Sequence, residues 1–271
     1  MPVEPADVDL DVLIPTFQRP GALAVTLAGL AGQRDVRFRV LVSSQDEAAD
    51  WPTEVKAVAG ILRVQGRAVE LRRHLPRLGL AEHRESLLGA AEAPYALFLD
   101  DDVWLEPDVV GRLLATIRRH GCGFVGAAPQ GWSWVDDVKP EEQTIELWDG
   151  DVQPETIEPD SPGWERHRLH NGANLLHTEA RLELPPGEAA AYRVAWIGGC
   201  VLYDVAALRE AGGFGFWRDL PPEHAGEDVL AELRVMRLRG GCGVVPSGAW
   251  HLELPTTVPN RETDAPKVLA V

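Results

Sequence analysis

Apolar positions in the first half of the chain fall into short runs separated by longer segments of mixed polarity. Residues 8–14 form a β-rich run halted by Pro15, and residues 22–30 an apolar helix ended near Gly32. Residues 38–42 read as a second strand, 52–59 as a short helix and 69–71 as a third, short strand. A helix over 80–91, the apolar strand 95–99, a helix over 107–120 and a strand over 123–128 complete the series. Pro107 suits a first helical position, where its missing N–H costs nothing. Strands alternating with helices predict a mostly parallel sheet covered by helices. In such sheets ligands bind beyond the carboxyl ends of the strands.

The pattern changes over residues 130–187, which carry Trp132, Trp134, Trp148 and Trp164, many prolines and acids, and little periodicity. Linkers are poor in tryptophan, so this stretch reads as a long, ordered insertion with most of its tryptophans in a small core of its own. Regular structure resumes with an apolar run over 194–197, a break at Gly198 and Gly199, and a strand over 201–203. A helix over 228–239 puts Val229, Leu233 and Met236 on one face. The tail after Pro255 is polar and proline-rich and reads as a surface wrap or a mobile end. No internal repeat is present.

With 271 residues the chain can bury one large α/β domain. Its 42 acidic and 26 basic side chains give a formal charge of −16, which repels polyanions and argues against nucleic-acid binding. A nucleotide is still admissible, because a divalent cation reverses the local sign. Cys122, Cys200 and Cys242 are odd in number and widely spaced, which points to reduced, buried thiols in a cytoplasmic protein. The acidic N-terminus lacks the blocks of a signal peptide, and no apolar run reaches the length of an integral membrane segment.

The sharpest local feature is Phe98-Leu-Asp-Asp-Asp102, directly after an apolar strand. In an extended backbone Asp100 and Asp102 project to one side and Asp101 to the other. Two such carboxylates can hold a hard cation such as Mg2+ or Mn2+, or accept ribose hydroxyls. Three adjacent acids repel one another, and a bound cation relieves that repulsion. The alternative is a turn whose acids precap the following helix. Haloacid-dehalogenase phosphatases also place Asp-x-Asp after a strand, but there it follows the first strand and ends in Thr, whereas Val103 and Trp104 follow here.

Several motifs in order resemble those of inverting family 2 glycosyltransferases, which share the GT-A fold. Asp11-Val-Leu-Ile-Pro-Thr16-Phe17-Gln-Arg19-Pro20 is similar to the family's opening strand and loop. Val40-Leu-Val-Ser43-Ser-Gln-Asp46 stands where the second strand ends, with Ser43, Ser44 and Gln45 replacing the usual acidic start. Gly79-Leu-Ala-Glu-His-Arg84 and the run from Phe98 to Pro107 resemble the approach to the metal motif and the motif itself. Trp196-Ile-Gly-Gly199-Cys-Val-Leu-Tyr203 and Ala211-Gly-Gly-Phe214 resemble acceptor-side segments, and Glu223-His-Ala-Gly-Glu227-Asp228 the late Glu-Asp motif.

The resemblance implies a Rossmann-type α/β sandwich, with residues 1–129 as a nucleotide-sugar-binding half, 130–254 as an acceptor-binding and catalytic half of the same domain, and 255–271 as a tail. It implies transfer of a sugar, with inversion, from a nucleotide diphosphate donor, UDP first, to a hydroxyl of a carbohydrate or other acceptor. It assigns Asp102 and His251 to a Mn2+ or Mg2+ ion, and Asp228 to the general base. Thr16, Phe17, Arg19, Asp46, Arg84, Asp100 and Asp101 would contact the donor, and Trp196, Gly198, Gly199 and Glu227 the acceptor. In the first turn of its helix, Asp228 gains from the dipole and is expected to be ionised at neutral pH. Arg72, Arg73 and Arg77 read as solvated first and phosphate contacts second, His170 and Asn171 as possible acceptor contacts, and Trp132, Trp134 and Trp164 mostly as core, with stacking on sugar faces as the alternative. The rivals are a sugar-nucleotide pyrophosphorylase, whose opening Gly-rich phosphate loop is missing from Pro15-Thr-Phe-Gln-Arg-Pro20, and a non-catalytic nucleotide-sugar-binding scaffold.

Overall fold

The computed structural model describes residues 8–48, 50–258 and 261–271. Eleven strands and eight α-helices are present among them. The first half supplies β1 (Leu10–Thr16), α1 (Pro20–Ala31), β2 (Phe38–Ser44), α2 (Thr53–Val64), β3 (Val69–Arg73), α3 (Leu80–Gly89) and β4 (Tyr95–Leu99). Then come β5 (Val103–Leu105), α4 (Val109–His120) and β6 (Phe124–Gly126). The second half adds β7 (Gln130–Gly131), α5 (Asn174–Leu182), β8 (Ala190–Tyr192), β9 (Cys200–Asp204), α6 (Val205–Glu210), α7 (Glu227–Arg239), β10 (Gly241–Val245), β11 (Ala249–His251) and α8 (Ala265–Val268).

Eight strands form one sheet in the order β3-β2-β1-β4-β9-β6-β10-β8, and β5-β11-β7 form a small second sheet. The β1, β2, β3 and β4 pairings are parallel, as is that of β6 with β10, whereas β9 runs against both β4 and β6 and β8 against β10. The sheet is thus mostly parallel and flanked by helices. Every residue of β1 is buried, as expected of a strand covered on both faces. Its one charge, Asp11, accepts from Arg39 Nε and Nη2 at 2.8 and 3.0 Å and from the amides of Glu92 and Ala93 at 2.7 and 3.0 Å, so neither carboxylate oxygen is left without a partner. Two buried clusters, one around Phe98, Tyr203 and Phe214 and one around Leu13's neighbours Val12, Ile14 and Leu27, fill the two sides of the sheet.

Three local expectations need correction. Pro15 does not stop β1, which continues to Thr16. The Thr16 carbonyl accepts from Gln45 N on the β2 side, so alternation turns the Pro15 nitrogen towards β4, where pairing has already ended at Leu13 and Phe98. The fourth helix begins at Val109, with Asp108 as N-cap, so Pro107 lies outside it. It ends on Gly121 at φ 59°, after Arg118, Arg119 and His120 in the last turn. The run 194–197 is buried but unpaired; the strand there is β8, and the Ile197 amide donates instead to Glu232 Oε2 at 2.7 Å.

The insertion also differs from expectation. Trp164 and Trp148 pack against the two main cores, while Trp132 and Trp134 are 59% and 52% exposed. The insertion borrows the domain's core and builds none for those two rings. The tail is ordered over its described part, with Thr257 and Val258 against the cavity below and α8 packed on α7. All three cysteines are free and buried. Among the described residues no helix is long and apolar enough to cross a membrane.

Candidate active site

A cavity of about 470 Å³ opens at the carboxyl ends of β1, β2 and β4. Its floor is the acidic run, which leaves β4 as a turn and not as extended chain. The two-sided arrangement expected of the three acids is therefore replaced by a fan. Asp100 accepts from Arg84 Nη2 at 2.9 Å. Asp101 accepts from Thr16 Oγ1 at 2.5 Å and from Arg19 Nη1 at 3.3 Å. Asp102 accepts from the same Arg19 Nη1 at 2.6 Å and lies 3.5 Å from His251 Nε2. The turn is locked from behind, where Thr26 Oγ1 donates to the Asp101 carbonyl at 2.9 Å and Leu252 N to the Asp102 carbonyl at 2.8 Å. Asp100 N donates to Gly199 O at 2.8 Å, and Gly199, at φ 77°, occupies a conformation that disfavours a side chain.

Burial in this tight cluster raises Asp101 to about 6, helped by Asp102 and opposed by Thr16 and Arg19. Burial, and then Asp100, also raise Asp102 above the usual carboxylate range. His251 comes from β11, whose pairing with β5 puts it opposite Val103, just past the acids. Its Nδ1 accepts from Glu253 N at 2.8 Å, which fixes the ring with Nε2 towards Asp102. The His251–Asp102 pair is therefore assembled from residues 149 positions apart in sequence.

Not every expected donor residue reaches the cavity. Thr16, Phe17, Arg19, Asp100, Asp101 and Asp102 line it, and Arg77 places its guanidinium 3.6 Å from the centre of the Phe17 ring. Asp46 does not line it: it accepts from Gln18 N and Ser44 Oγ, both at 3.0 Å, and so braces the loop after β1. Gln45 takes its place, 5% exposed, with a side-chain Nε2 that has no partner among the described residues. Arg84 is buried beneath the acids and not in the lining, donating to Asp100 and, from Nε at 3.1 Å, to Glu227. Burial alone would weaken its charge, but Asp100, Glu227 and Asp228 more than offset that and hold it firmly protonated.

Asp228, beside Arg84 and Glu227, opens α7 and accepts its own helix amide from Val229 at 2.8 Å. A Cβ on Gly198 would stand 3.2 Å from Asp228 Oδ2, so the glycine leaves room for the carboxylate. Burial, then Glu227, act against the helix dipole and raise Asp228 to about 7, so the carboxyl is only partly ionised at neutral pH. Trp196 stacks on His167 at 4.8 Å and meets Trp164 at 4.3 Å, which makes a half-buried aromatic wall rather than an open contact. His170 is tied to the Tyr192 hydroxyl at 3.0 Å.

Sequence reasoning gave no role to His83, His224, Gln45 or Glu232, and read Arg77 first as solvated. His83 is 1% exposed, meets Ser43 Oγ at 2.8 Å and is lowered to about 3 by burial, with His74 and Arg84 adding to it, so it is neutral. His224 donates from Nδ1 to Pro221 O at 2.7 Å and accepts from Ala81 N at 3.2 Å, which joins the α3 start to the segment before α7. Glu232 follows Asp228 at the i+4 position, fully buried and held protonated mainly by burial and then by Asp228. That spacing was the only sequence signal for it.

A family model described as Glycosyl transferase family 2 matches residues 11–183. Comparison with curated proteins finds no match. Among solved structures, Staphylococcus aureus TarS 1–349 in complex with UDP-GlcNAc is 15% identical with a TM-score of 0.55, covering 97% of this chain and 62% of that one. The TarS 1–349 structure without ligand in its description is 14% identical with a TM-score of 0.53, covering 87% and 57%. The mannosyltransferase PcManGT from Pyrobaculum calidifontis, in complex with GDP-Man and Mn2+, is 15% identical with a TM-score of 0.52, covering 89% and 58%. At these identities the likeness is one of fold, and the chain spans about 57–62% of the length of these structures.

Proposed function

We propose, from the premise that this chain belongs to glycosyl transferase family 2, that it moves a sugar from a nucleoside diphosphate, UDP first, to an acceptor hydroxyl with inversion, assisted by Mn2+ or Mg2+. The observation that carries this reading is the fan of Asp100, Asp101 and Asp102 on the floor of a cavity at the strand ends, with His251 Nε2 3.5 Å from Asp102. Complexes of structural neighbours with UDP-GlcNAc and with GDP-Man and Mn2+ support it.

The residues present suit a hard cation in charge and chemistry. Asp100, Asp101, Asp102, Glu227 and Asp228 outnumber Arg19, Arg84 and the cavity-lining Arg77, so the mouth carries an excess of carboxyl groups that a diphosphate would aggravate and a dication would balance. Among the described residues no three His, Cys, Asp or Glu form a complete cage, as befits a site that shares its ion with substrate oxygens. Asp102 and His251 would hold it; with Nδ1 occupied by the Glu253 amide, the ring proton faces Asp102, and ligation through Nε2 displaces it. A bound cation acts as a Lewis acid for the departing diphosphate.

The chain's own groups account for the rest. Phe17, backed by Arg77, offers a flat face to a nucleobase, and the free Gln45 amide offers it a hydrogen-bond donor. Arg19 holds Asp101 and Asp102 in register and its Nη2 donates to Pro255 O, which draws the segment bearing Thr257 and Val258 over the cavity. Asp228, raised to about 7, is tuned close to neutral pH, where a general base takes a proton from a hydroxyl most effectively. Displacement from the face opposite the diphosphate inverts the anomeric centre.

Calorimetric titration of UDP-sugars with and without Mn2+, with release of nucleoside diphosphate measured in parallel, tests the reading. Cation-dependent binding lost in Asp102→Ala supports it. Formation of a sugar nucleotide from sugar phosphate and nucleoside triphosphate would favour the pyrophosphorylase. Cation-independent binding without release would favour the scaffold.

A further inference from the structure

Trp132, Ser133 and Trp134 form one short helical turn directly after β7, and neither ring is covered, with 59% and 52% exposure. Val135 and Val138 continue the apolar surface at 39% and 52%. Contiguous exposed apolar surface of this kind marks interaction and ligand-binding sites. Their position gives the face a partner. β7 pairs with β11 so that Gly131 lies opposite His251, which places the Trp132 backbone one strand spacing across and one residue along, roughly 6 Å from the backbone of the proposed cation ligand.

The turn is fastened to that strand. Glu253, two residues past His251 and at φ 55°, accepts from Ser133 Oγ at 2.7 Å and from Ser133 N at 3.3 Å. Gly131 N donates to Gly172 O at 3.0 Å, and Trp134 packs its Cβ side against Gly172. A left-handed backbone at a non-glycine residue is costly and persists where surrounding contacts impose it. The rings are therefore exposed yet fixed in relation to the site.

We propose that Trp132 and Trp134 are an acceptor platform, and that the acceptor is an uncharged carbohydrate chain whose sugar faces stack on these rings. This rests on the transferase reading above. A pyranose presents a face of C–H bonds that matches an indole, whereas its hydroxyl rim is left for polar neighbours. Residues 130–187 hold 13 Asp and Glu against 4 Lys and Arg, a net charge of −9. That field repels polyanionic glycans and anionic membrane surfaces, and it leaves a neutral glycan unopposed.

The test uses the full chain, with maltohexaose, cellohexaose and chitohexaose as neutral probes and heparin as the polyanion, by saturation-transfer NMR and calorimetry. Wild type is expected to bind at least one neutral probe, with affinity about tenfold lower in Trp132→Ala and Trp134→Ala and restored in the Phe variants. UDP binding and melting temperature are expected to be unchanged throughout, because both rings lie outside the cavity and the core. Unchanged affinity in the double Ala variant, no neutral probe bound by wild type, or preference for heparin overturns the platform. So does loss of a dimer, or of binding to phosphatidylcholine vesicles, as the sole effect of the Ala changes. Failure of UDP to bind wild type while a neutral glycan still binds through the two rings would remove the transferase reading and leave the platform standing.

Discussion

Replacing Asp228 by Asn separates chemistry from stability, because the same burial that tunes the base also strains the fold. The carboxyl titrates at about 7 in the native state against 3.8 when unfolded. The native chain therefore keeps a proton that the unfolded chain gives up between those values, and stability falls as pH rises from about 4 to 7. At about 1.4 kcal/mol per unit, the shift from 3.8 to about 7 sets a ceiling of about 4 kcal/mol. Asp228 is partly exposed and shares its field with Glu227, so about half that figure is the working expectation, about 2 kcal/mol at pH 8. An Asn keeps the oxygen that accepts from Val229 N and has no proton to lose. Scanning calorimetry should find the variant melting roughly 4–8 °C higher at pH 8 and nearly level with wild type at pH 4, while nucleoside diphosphate release falls by about 100-fold or more. A stability difference that is the same at pH 4 and pH 8 would refute the reasoning, even if activity were lost.

Arg84→Met leaves Asp100 and Glu227 without their buried partner and should cost about 3–5 kcal/mol at neutral pH in urea titration, with a smaller loss at acid pH, because burial raises Glu227 and favours its neutral form. His83, held near 3 against 6.5 unfolded, must stay neutral to remain buried, so it loses stability as pH falls from about 6.5 to 3; His83→Gln should flatten that acid limb in a series of melting curves. Asp102→Asn should abolish Mn2+-dependent binding of UDP in calorimetry while leaving the fold intact by circular dichroism. Gly241→Ala would bring a Cβ within 2.0 Å of the Phe124 ring, and overpacking of about 1–3 kcal/mol should appear as a lower urea midpoint with the binding of UDP unchanged.

The alternation of apolar strands and helices in the first 130 residues made the parallel sheet legible, because buried parallel strands announce themselves as short apolar runs. The acids after β4 were visible for the same reason: nothing apolar explains three Asp at a strand end. What they would touch was not, because Thr16, Arg19 and His251 reach them through loops whose course no local pattern encodes. Arg84 and Glu227 were assigned to separate donor and acceptor contacts, and only the close approach of α3 and α7 turns them into one buried pair. Gln45 and Asp46 are adjacent in the loop after β2, and the hydrogen bonds of Asp46 to Gln18 N and Ser44 Oγ leave Gln45 to face the cavity. Trp132 and Trp134 were misplaced in a core because tryptophan content signals order without saying which ring is covered.

β9 has a consequence for how the chain can be cut and made. It lies between β4 and β6 yet comes from residues 200–204, roughly a hundred positions after β4. Until it is synthesised and inserted, β4 presents a bare edge and β6 has no route to the rest of the sheet. The matched span 11–183 ends before it, so that span expressed alone would be a sheet split down the middle, prone to pair with other copies. Any truncation meant to isolate the β1–β4 end of this molecule must carry residue 204 with it.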